Sequence, residues 1–360
     1  MNEIETDVFV VGGGPAGLAT AIACRMRSLR VVVVDYQKPP IGKACGEGIL
    51  PDGVCALREL GIDPMRIDGC EVHGIRFVHG DESVEAKFRA NHGLGVERRR
   101  LHQHLIERAG ELGAVLLWRS RLRRADGGVA LVDDTSVRYR WLIGADGVNS
   151  WVRRHSRLAS RGKQDIRFGF RCHYRVAPWT EFVEVHWGDK EQLYVTPIAR
   201  ETVCVALVTR NSHDRIESTL PQFPALAYRL NGAQKVEEER VRGTVTVIRK
   251  LRSVVTGSTA LVGDAAGSID AVTGQGINLA FRQAIHLADA IARNDVTCYA
   301  KHHTQQMRRP LLMSRLMVFL GDHALLRTIA FRVMQLHRVV FGQLLAFHVG
   351  VFISRARDRP

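Results

Sequence analysis

Glycine spacing and a few acids carry most of the chemical information in this chain. Gly12, Gly14 and Gly17 stand at G-x-G-x-x-G spacing in the run Gly12-Gly13-Gly14-Pro15-Ala16-Gly17. At that spacing the first glycine permits a tight turn, the second lets a pyrophosphate reach bare backbone, and the third lets a helix pack closely on a strand. Pro15 and Ala16 lie inside the loop, whose amides and helix dipole favour negative charge. Asp35 follows Gly14 by 21 positions, where a carboxylate accepts hydrogen bonds from ribose hydroxyls and repels a 2′-phosphate. Asp146-Gly147 and Gly263-Asp264 are two further acid–glycine sites, the second continuing to Gly274-Gln275-Gly276-Ile277-Asn278. Either pair alone reads as an ordinary turn; the three signatures in order describe one large cofactor. Cys45 adds a thiol in the glycine-dense loop Ile41-Gly42-Lys43-Ala44-Cys45-Gly46-Glu47-Gly48. It either faces that cofactor or packs as a small buried residue.

These residues need strands and helices to hold them. Val8-Phe9-Val10-Val11 reads as a strand before the first loop, and Leu18 to Cys24 as the helix after it. Arg30 to Val34 is a second strand ending at Asp35. Val129–Asp134 and Tyr139–Gly144 read as paired strands leading to Asp146, and Thr259–Gly263 as the strand leading to Asp264. Gly74–Val78 and Val84–Phe88 predict a hairpin. Phe168–Tyr174, Val183–Trp187, Leu193–Pro197 and Val203–Val208 alternate as strands of an antiparallel sheet. A helix starts near Arg98, with Leu101, Leu105 and Ile106 on its buried face.

The three motifs in this order resemble the FAD enzymes of the flavoprotein monooxygenase (aromatic hydroxylase-like) and geranylgeranyl reductase superfamily. The first motif alone fits NAD equally well; the resemblance selects FAD. It implies an α/β fold: a dinucleotide-binding, Rossmann-like FAD domain of the glutathione reductase type, an inserted antiparallel β-sheet domain that roofs the flavin, and a C-terminal helical tail. On that reading residues 1–68, 92–157 and 256–300 form a discontinuous FAD domain, 69–91 and 158–255 the substrate domain, and 301–360 the tail. The resemblance implies that Asp264 holds the ribityl and pyrophosphate side of FAD. It also implies that the helix from Gly276 points its positive end at the flavin pyrimidine, that Arg98 contacts FAD, and that Arg153 supports the fold after Asp146. The loop of Lys43, Ala44, Cys45 and Gly46 resembles the cysteine–glycine loop of the reductases. The glycine density lets its amides approach a flat ring. Tyr194-Val195-Thr196-Pro197 resembles part of a reductase motif without its tryptophan, which makes Tyr194 a substrate-pocket candidate. No W-x-W occurs, so the tryptophan-halogenase signature is missing. Asp270 and Ala271 stand where serine and proline are frequent, and Gly274 to Asn278 ends in the hydroxylase manner.

The seven cysteines form no C-x-x-C pair, and the N-terminus is acidic, unlike a signal peptide. The expectation is therefore a cytoplasmic protein with reduced thiols. No metal-ligand spacing is evident, and His302-His303 reads as a solvated pair. The net charge of +14 fits an anionic membrane surface or an acidic substrate; no nucleic-acid-binding signature accompanies it. From Arg308 onward there are nine arginines, two aspartates and no glutamate. The uncharged run Val339–Ser354 is shorter than the ~18–20 residues that span a bilayer. Residues 336–357 then read as a helix lying on a membrane, and 310–335 as core-packing helices with a basic outer face. The functional expectation is an FAD-dependent monooxygenase using NAD(P)H as reductant and acting on a hydrophobic small molecule through a flavin hydroperoxide. The alternatives are a flavin reductase saturating polyprenyl double bonds and a non-catalytic FAD-binding sensor or scaffold.

Overall fold

The computed structural model describes residues 2–158, 166–236 and 243–350. Its first sheet is the expected doubly wound one. The parallel strands β1 (Asn2–Val11), β2 (Val31–Asp35), β8 (Val115–Trp118), β11 (Thr135–Gly144) and β19 (Thr259–Leu261) run in the order β8-β2-β1-β11-β19. Antiparallel additions β9 (Leu122–Asp126), β10 (Val129–Val132) and β18 (Val255–Thr256) extend it. The chain leaves β1 toward β2 on one side and returns as β11 on the other. The crevice at the carboxyl ends of β1 and β11 is thus a topological switch point, where such sheets bind ligands. Gly12 follows β1 and Ala145 follows β11, at that crevice.

Continuous apolar runs make these strands. Val31 to Val34 are all buried, as a strand covered on both faces requires. Helix α1 (Pro15–Arg25) connects β1 to β2, α3 (Arg98–Glu111) leads into β8, and both cover the sheet together with α7 (Gly276–Ala292). Fully burying Leu18 or Ile22 of α1 contributes about 1.5–3 kcal/mol each. Helix α2 (Pro51–Glu59) packs on α7, and α4 (Trp151–His155) follows the second motif.

The second sheet has the order β16-β12-β15-β14-β13-β5-β6, with β17 also paired to β12. It contains the hairpin β5 (Gly74–His79) and β6 (Glu82–Lys87), then β12 (Ile166–Arg175), β13 (Phe182–Trp187), β14 (Gln192–Ala199), β15 (Thr202–Thr209), β16 (Gln234–Val236) and β17 (Thr244–Val247). All pairings are antiparallel except β13 with β5. A small sheet of β3 (Gly48–Ile49), β7 (Gly93–Gly95) and β4 (Cys70–Val72) joins the two large ones. Period-two alternation divides the roof. Leu193, Val195, Val203, Val205 and Leu207 face the short helices α5 (Ile216–Thr219) and α6 (Pro224–Leu230). Tyr194, Thr196, Cys204 and Ala206 therefore face the opposite way.

Three helices close the chain: α8 (Val296–Asp322), α9 (Ala324–Leu336) and α10 (Arg338–Val349). Two expectations need correction here. His303 is buried beside Tyr299, and only its neighbour His302 reaches the surface, against His286. The tail also reverses the expected assignment. Helix α10 buries Phe341, Leu345 and Val349 against the roof sheet, whereas α9 leaves Leu325, Ile329 and Leu336 exposed. The reason is that α9 has apolar side chains on more than one side, so packing Phe331 and Met334 inward leaves Leu325, Ile329 and Leu336 bare. Residues 351–357 of the predicted surface helix lie outside the described residues. No helix among the described residues is long and apolar enough to cross a membrane.

Candidate cofactor and active site

The three motifs meet at the switch point. Gly12 has φ +108°, and a Cβ there would lie 2.4 Å from the Ala145 carbonyl oxygen, so backbone from the first and second motifs is in contact. A Cβ on Gly17 would lie 1.8 Å from the Gly12 carbonyl oxygen, which is the close helix–strand approach its position predicts. A Cβ on Gly263 would meet the Ala16 methyl at 2.8 Å, joining the third motif to the first. Arg153 extends the join by donating to the carbonyls of Ala265 (3.0 Å) and Val148 (2.7 Å).

A second set of glycines behaves differently. A Cβ on Gly14, Gly42, Gly46, Gly147, Gly274 or Gly276 would meet nothing within 4 Å. Gly14 opens α1, Gly42 and Gly46 flank Cys45, Gly274 precedes α7 and Gly276 is its first residue. Helix α7 starts without a side-chain cap and without an acid in its first turn, which leaves its amides open. The Arg98 Nε is buried with no hydrogen-bond partner among the described residues, and the same holds for Asp146 Oδ1. Bare backbone, an open helix start and an orphaned guanidinium nitrogen suit a long ligand with a pyrophosphate in its middle.

Asp35 stands at the end of β2. Its Oδ2 accepts from Gly13 N at 2.8 Å and its Oδ1 from Gln37 N at 2.8 Å. Burial raises its pKa, against those two hydrogen bonds. Lys43 donates to Asp264 Oδ2 at 2.8 Å, and the Lys43 charge holds the Asp264 carboxyl below the usual carboxylate range. Cys45 is half-buried, its Sγ accepting from Glu47 N, and Ala44 is buried beside it. The roof sheet grips this loop: Thr196 donates to Gly46 O at 2.7 Å, and Cys204 Sγ lies 3.7 Å from Cys45 O.

Other expected residues are spent on the scaffold. Asp146 Oδ2 accepts from Trp151 N and Val152 N and so caps α4. Gln275 donates to His348 O of α10, and Asn278 bonds Leu50 N and Gly274 O. Ile277 packs against the main core. Tyr194 is buried and donates to Val272 O at 2.9 Å, in an apolar cluster with Phe77, Trp187, Phe331 and Phe341.

Several residues that the sequence reading did not single out complete the site. His102 is fully buried between Gly13 O (2.7 Å from Nε2) and Ile41 N (3.3 Å from Nδ1), propping the first loop against the Cys45 loop. Burial lowers its pKa to about 4, so it is neutral. Glu47 is buried with φ +57°; its carboxylate accepts from Arg98 N (2.9 Å), His173 Nε2 (2.6 Å) and Arg171. Glu47, His173 and Cys204 place ligand-type atoms within 4.8 Å of one another. The hydrogen bonds already made by Glu47 identify that group as an ion-pair knot. Asp270, the unusual residue of the third motif, is matched by Arg167 at 3.1 Å, both buried.

The sequence profile of the family described as "FAD binding domain" matches residues 5–294. The chain is 27% identical over 300 residues to the menaquinone reductase of Mycobacterium tuberculosis, covering 76% of this chain and 73% of that protein. It is 28% identical over 328 residues to a ubiquinone hydroxylase of Rhodospirillum rubrum, covering 79% and 72%. Its fold matches a geranylgeranyl bacteriochlorophyll reductase-like protein of Thermoplasma acidophilum with TM-score 0.75 at 22% identity, over 89% of this chain and 88% of that one.

Proposed function

Since this chain belongs to the FAD-binding domain family and is an FAD-dependent oxidoreductase, we infer that it reduces a carbon–carbon double bond in an isoprenoid lipid of the quinone type. FAD, when bound, supplies hydride or oxygen chemistry; the chain decides which substrate reaches it and what surrounds the reacting atoms. Gly14, Arg98, Lys43 and Asp264 would hold the pyrophosphate region, Asp35 the ribose, and the amides from Gly276 the pyrimidine edge. The observation that carries reduction is the Lys43–Gly48 loop, pinned to the roof sheet through Thr196 and Glu47. The hydroxylase-like Gln275 and Asn278, in contrast, spend their side chains on α10, Leu50 and Gly274. Their presence therefore argues only for scaffold.

The apolar cluster of Phe77, Trp187 and Phe341 on the roof sheet would give a hydrophobic substrate dry surroundings. Menaquinone and ubiquinone, named for the two relatives, share isoprenoid tails on a quinone ring. NAD(P)H is the proposed reductant. Hydroxylation of the same substrate class is the second reading, supported by the likeness to a ubiquinone hydroxylase. Turnover of a menaquinone with NADPH, analysed by mass spectrometry after air has reoxidised any quinol, separates them: double-bond reduction adds about 2 Da and hydroxylation about 16 Da. An unchanged mass with FAD bound and reducible overturns the substrate class.

A further inference from the structure

Helix α9 carries large aliphatic side chains on its outer side as well as its inner one. Phe331 and Met334 are buried on its inner side with Arg327, which reaches Asp189 and the carbonyl of Gly321. On the outer side Leu325 (81% exposed), Ile329 (57%), Val333 (41%) and Leu336 (79%) recur at spacings of four, four and three, which is one helical stripe. Val339 at the start of α10 and Phe319 on α8 are also exposed. A soluble surface seldom shows large aliphatic side chains in such a row, and contiguous patches of this kind mark contact sites.

Along α9 and α10 themselves the charge is of one sign. Arg332 and Arg338 are exposed within the stripe, Arg315 is exposed on α8, and no acid occurs from His323 to Gly350. The nearest acid in the chain, Asp322, is already paired with Arg210. A second copy on this face would set these arginines against their own equivalents, with no acid of α9 or α10 to pair them. An anionic bilayer satisfies both features: aliphatic side chains enter the headgroup–acyl boundary while the arginines meet lipid phosphates.

We propose that the outer face of α9, with Val339 and Phe319, is a membrane-docking surface for anionic lipid bilayers, through which an isoprenoid substrate reaches the site. The inner faces of α9 and α10 pack on the cluster of Phe77, Trp187 and Tyr194 that lines the roof sheet. A single helical layer, about 10 Å thick, then separates the bilayer from that cluster. The route of the substrate rests on the proposed function; the docking surface does not.

The test compares the full chain with an Ile329→Glu/Leu336→Glu variant in liposome flotation, using phosphatidylcholine vesicles with and without phosphatidylglycerol. Both substituted positions are exposed and lie outside the cofactor machinery, so bound FAD and the melting temperature serve as fold controls. The expected result is flotation of the parent with the anionic vesicles, reduced by salt, and at least tenfold less flotation of the variant with its FAD retained. A parent that stays unbound at low salt overturns the proposal, as does a variant that floats equally well. A dimer of the parent that dissociates in the variant, seen by light scattering, also overturns it and assigns the face to a second copy. Turnover of a short-chain, water-soluble quinone analogue is measured alongside. Its absence in both proteins with flotation intact sinks the functional reading and leaves the surface standing.

Discussion

Lys43 Nζ and Asp264 Oδ2 lie 2.8 Å apart, although 221 positions separate them in sequence. The pair closes the third motif onto the Cys45 loop at the place where the cofactor's phosphates are proposed to lie. The Lys43 charge is the largest influence on Asp264 and depresses its pKa. A depressed carboxylate contributes fully above its unfolded value near 4 and is lost as pH falls through the lower folded value. Replacing Lys43 by Ala removes that influence, so Asp264 takes up its proton at higher pH. FAD affinity is expected to fall about tenfold at neutral pH, the scale of one charge-assisted contact. Flavin fluorescence on acid titration should show release beginning at higher pH than in the parent. Superimposable release curves would show that the pair does not serve the cofactor.

The two kinds of glycine in the first loop predict opposite outcomes. A Cβ at Gly14 meets no atom within 4 Å, so Gly14→Val should fold with a near-parental melting temperature and yet purify colourless. A Cβ at Gly17 collides with the Gly12 carbonyl at 1.8 Å, so Gly17→Ala should destabilise the fold itself by about 1–3 kcal/mol or more. Thermal melts of the FAD-free proteins, with flavin absorbance of the purified ones, separate the two effects. A Gly14→Val protein that stays yellow removes the pyrophosphate from this loop.

The glycine loop was legible in sequence because its spacing encodes backbone geometry, and the roof sheet because strands alternate. What stayed hidden follows from the same rules. In β12 the alternate positions Arg167, Gly169, Arg171 and His173 read as the solvent face, yet they are buried, while Phe168 and Phe170 on the other face are only partly so. The inversion is possible because Asp270 and Glu47 arrive from distant segments to neutralise the arginines. Pair partners of that kind have no sequence spacing. His102 was missed differently: it lies next to Leu101 on the buried face of α3, and a lone histidine among apolar neighbours says nothing of what it bonds. The packing of α10 is hidden for another reason: charge along the chain does not say which side of a helix its neighbours cover, and that decides that Phe341 and Leu345 are buried while Leu325 and Leu336 are bare.

His102 makes the first loop acid-sensitive. Its folded pKa is about 4, below the unfolded value of about 6.5. Below pH 6.5 the unfolded chain therefore binds a proton that the folded one refuses. Stability falls from pH 6.5 down to about 4 and loses nothing further below that, for a total on the order of 3 kcal/mol. Because His102 bonds Gly13 O and Ile41 N, its protonation should also release FAD. His102→Gln, which keeps a donor and an acceptor without a titrating ring, is expected to flatten FAD retention between pH 6.5 and 4. His303 is also held near 4 by burial, so local FAD release is the readout and not global melting. Retention that falls as steeply in His102→Gln as in the parent would assign the sensitivity elsewhere.

Glu47 is the buried acid on which the Cys45 loop, α3 and the roof sheet converge, through Arg98 N, Arg171 and His173. Removing one member of a buried ion pair leaves the other charge without compensation, at a cost of about 3–5 kcal/mol. Glu47→Ala should therefore lower the melting temperature sharply, whereas Glu47→Ala/Arg171→Met, which removes both charges, should recover a large part of the loss. If the knot only supports the fold, the double variant will bind FAD and turn over like the parent. If it sets the position of Cys45 against the flavin, the double variant will be stable but slow, with kcat reduced and FAD affinity nearly unchanged. Cys45→Ser is the companion measurement: a thiol that shapes the flavin face, and attacks nothing, predicts a partial loss of turnover with FAD still bound. The second outcome is expected, because Glu47 N also donates to Cys45 Sγ, so any shift of the Glu47 backbone is carried to the thiol. Parental kcat in a folded double variant would reduce Glu47 to a structural acid and leave the loop to be positioned by its contacts with Thr196, His102 and Asp264.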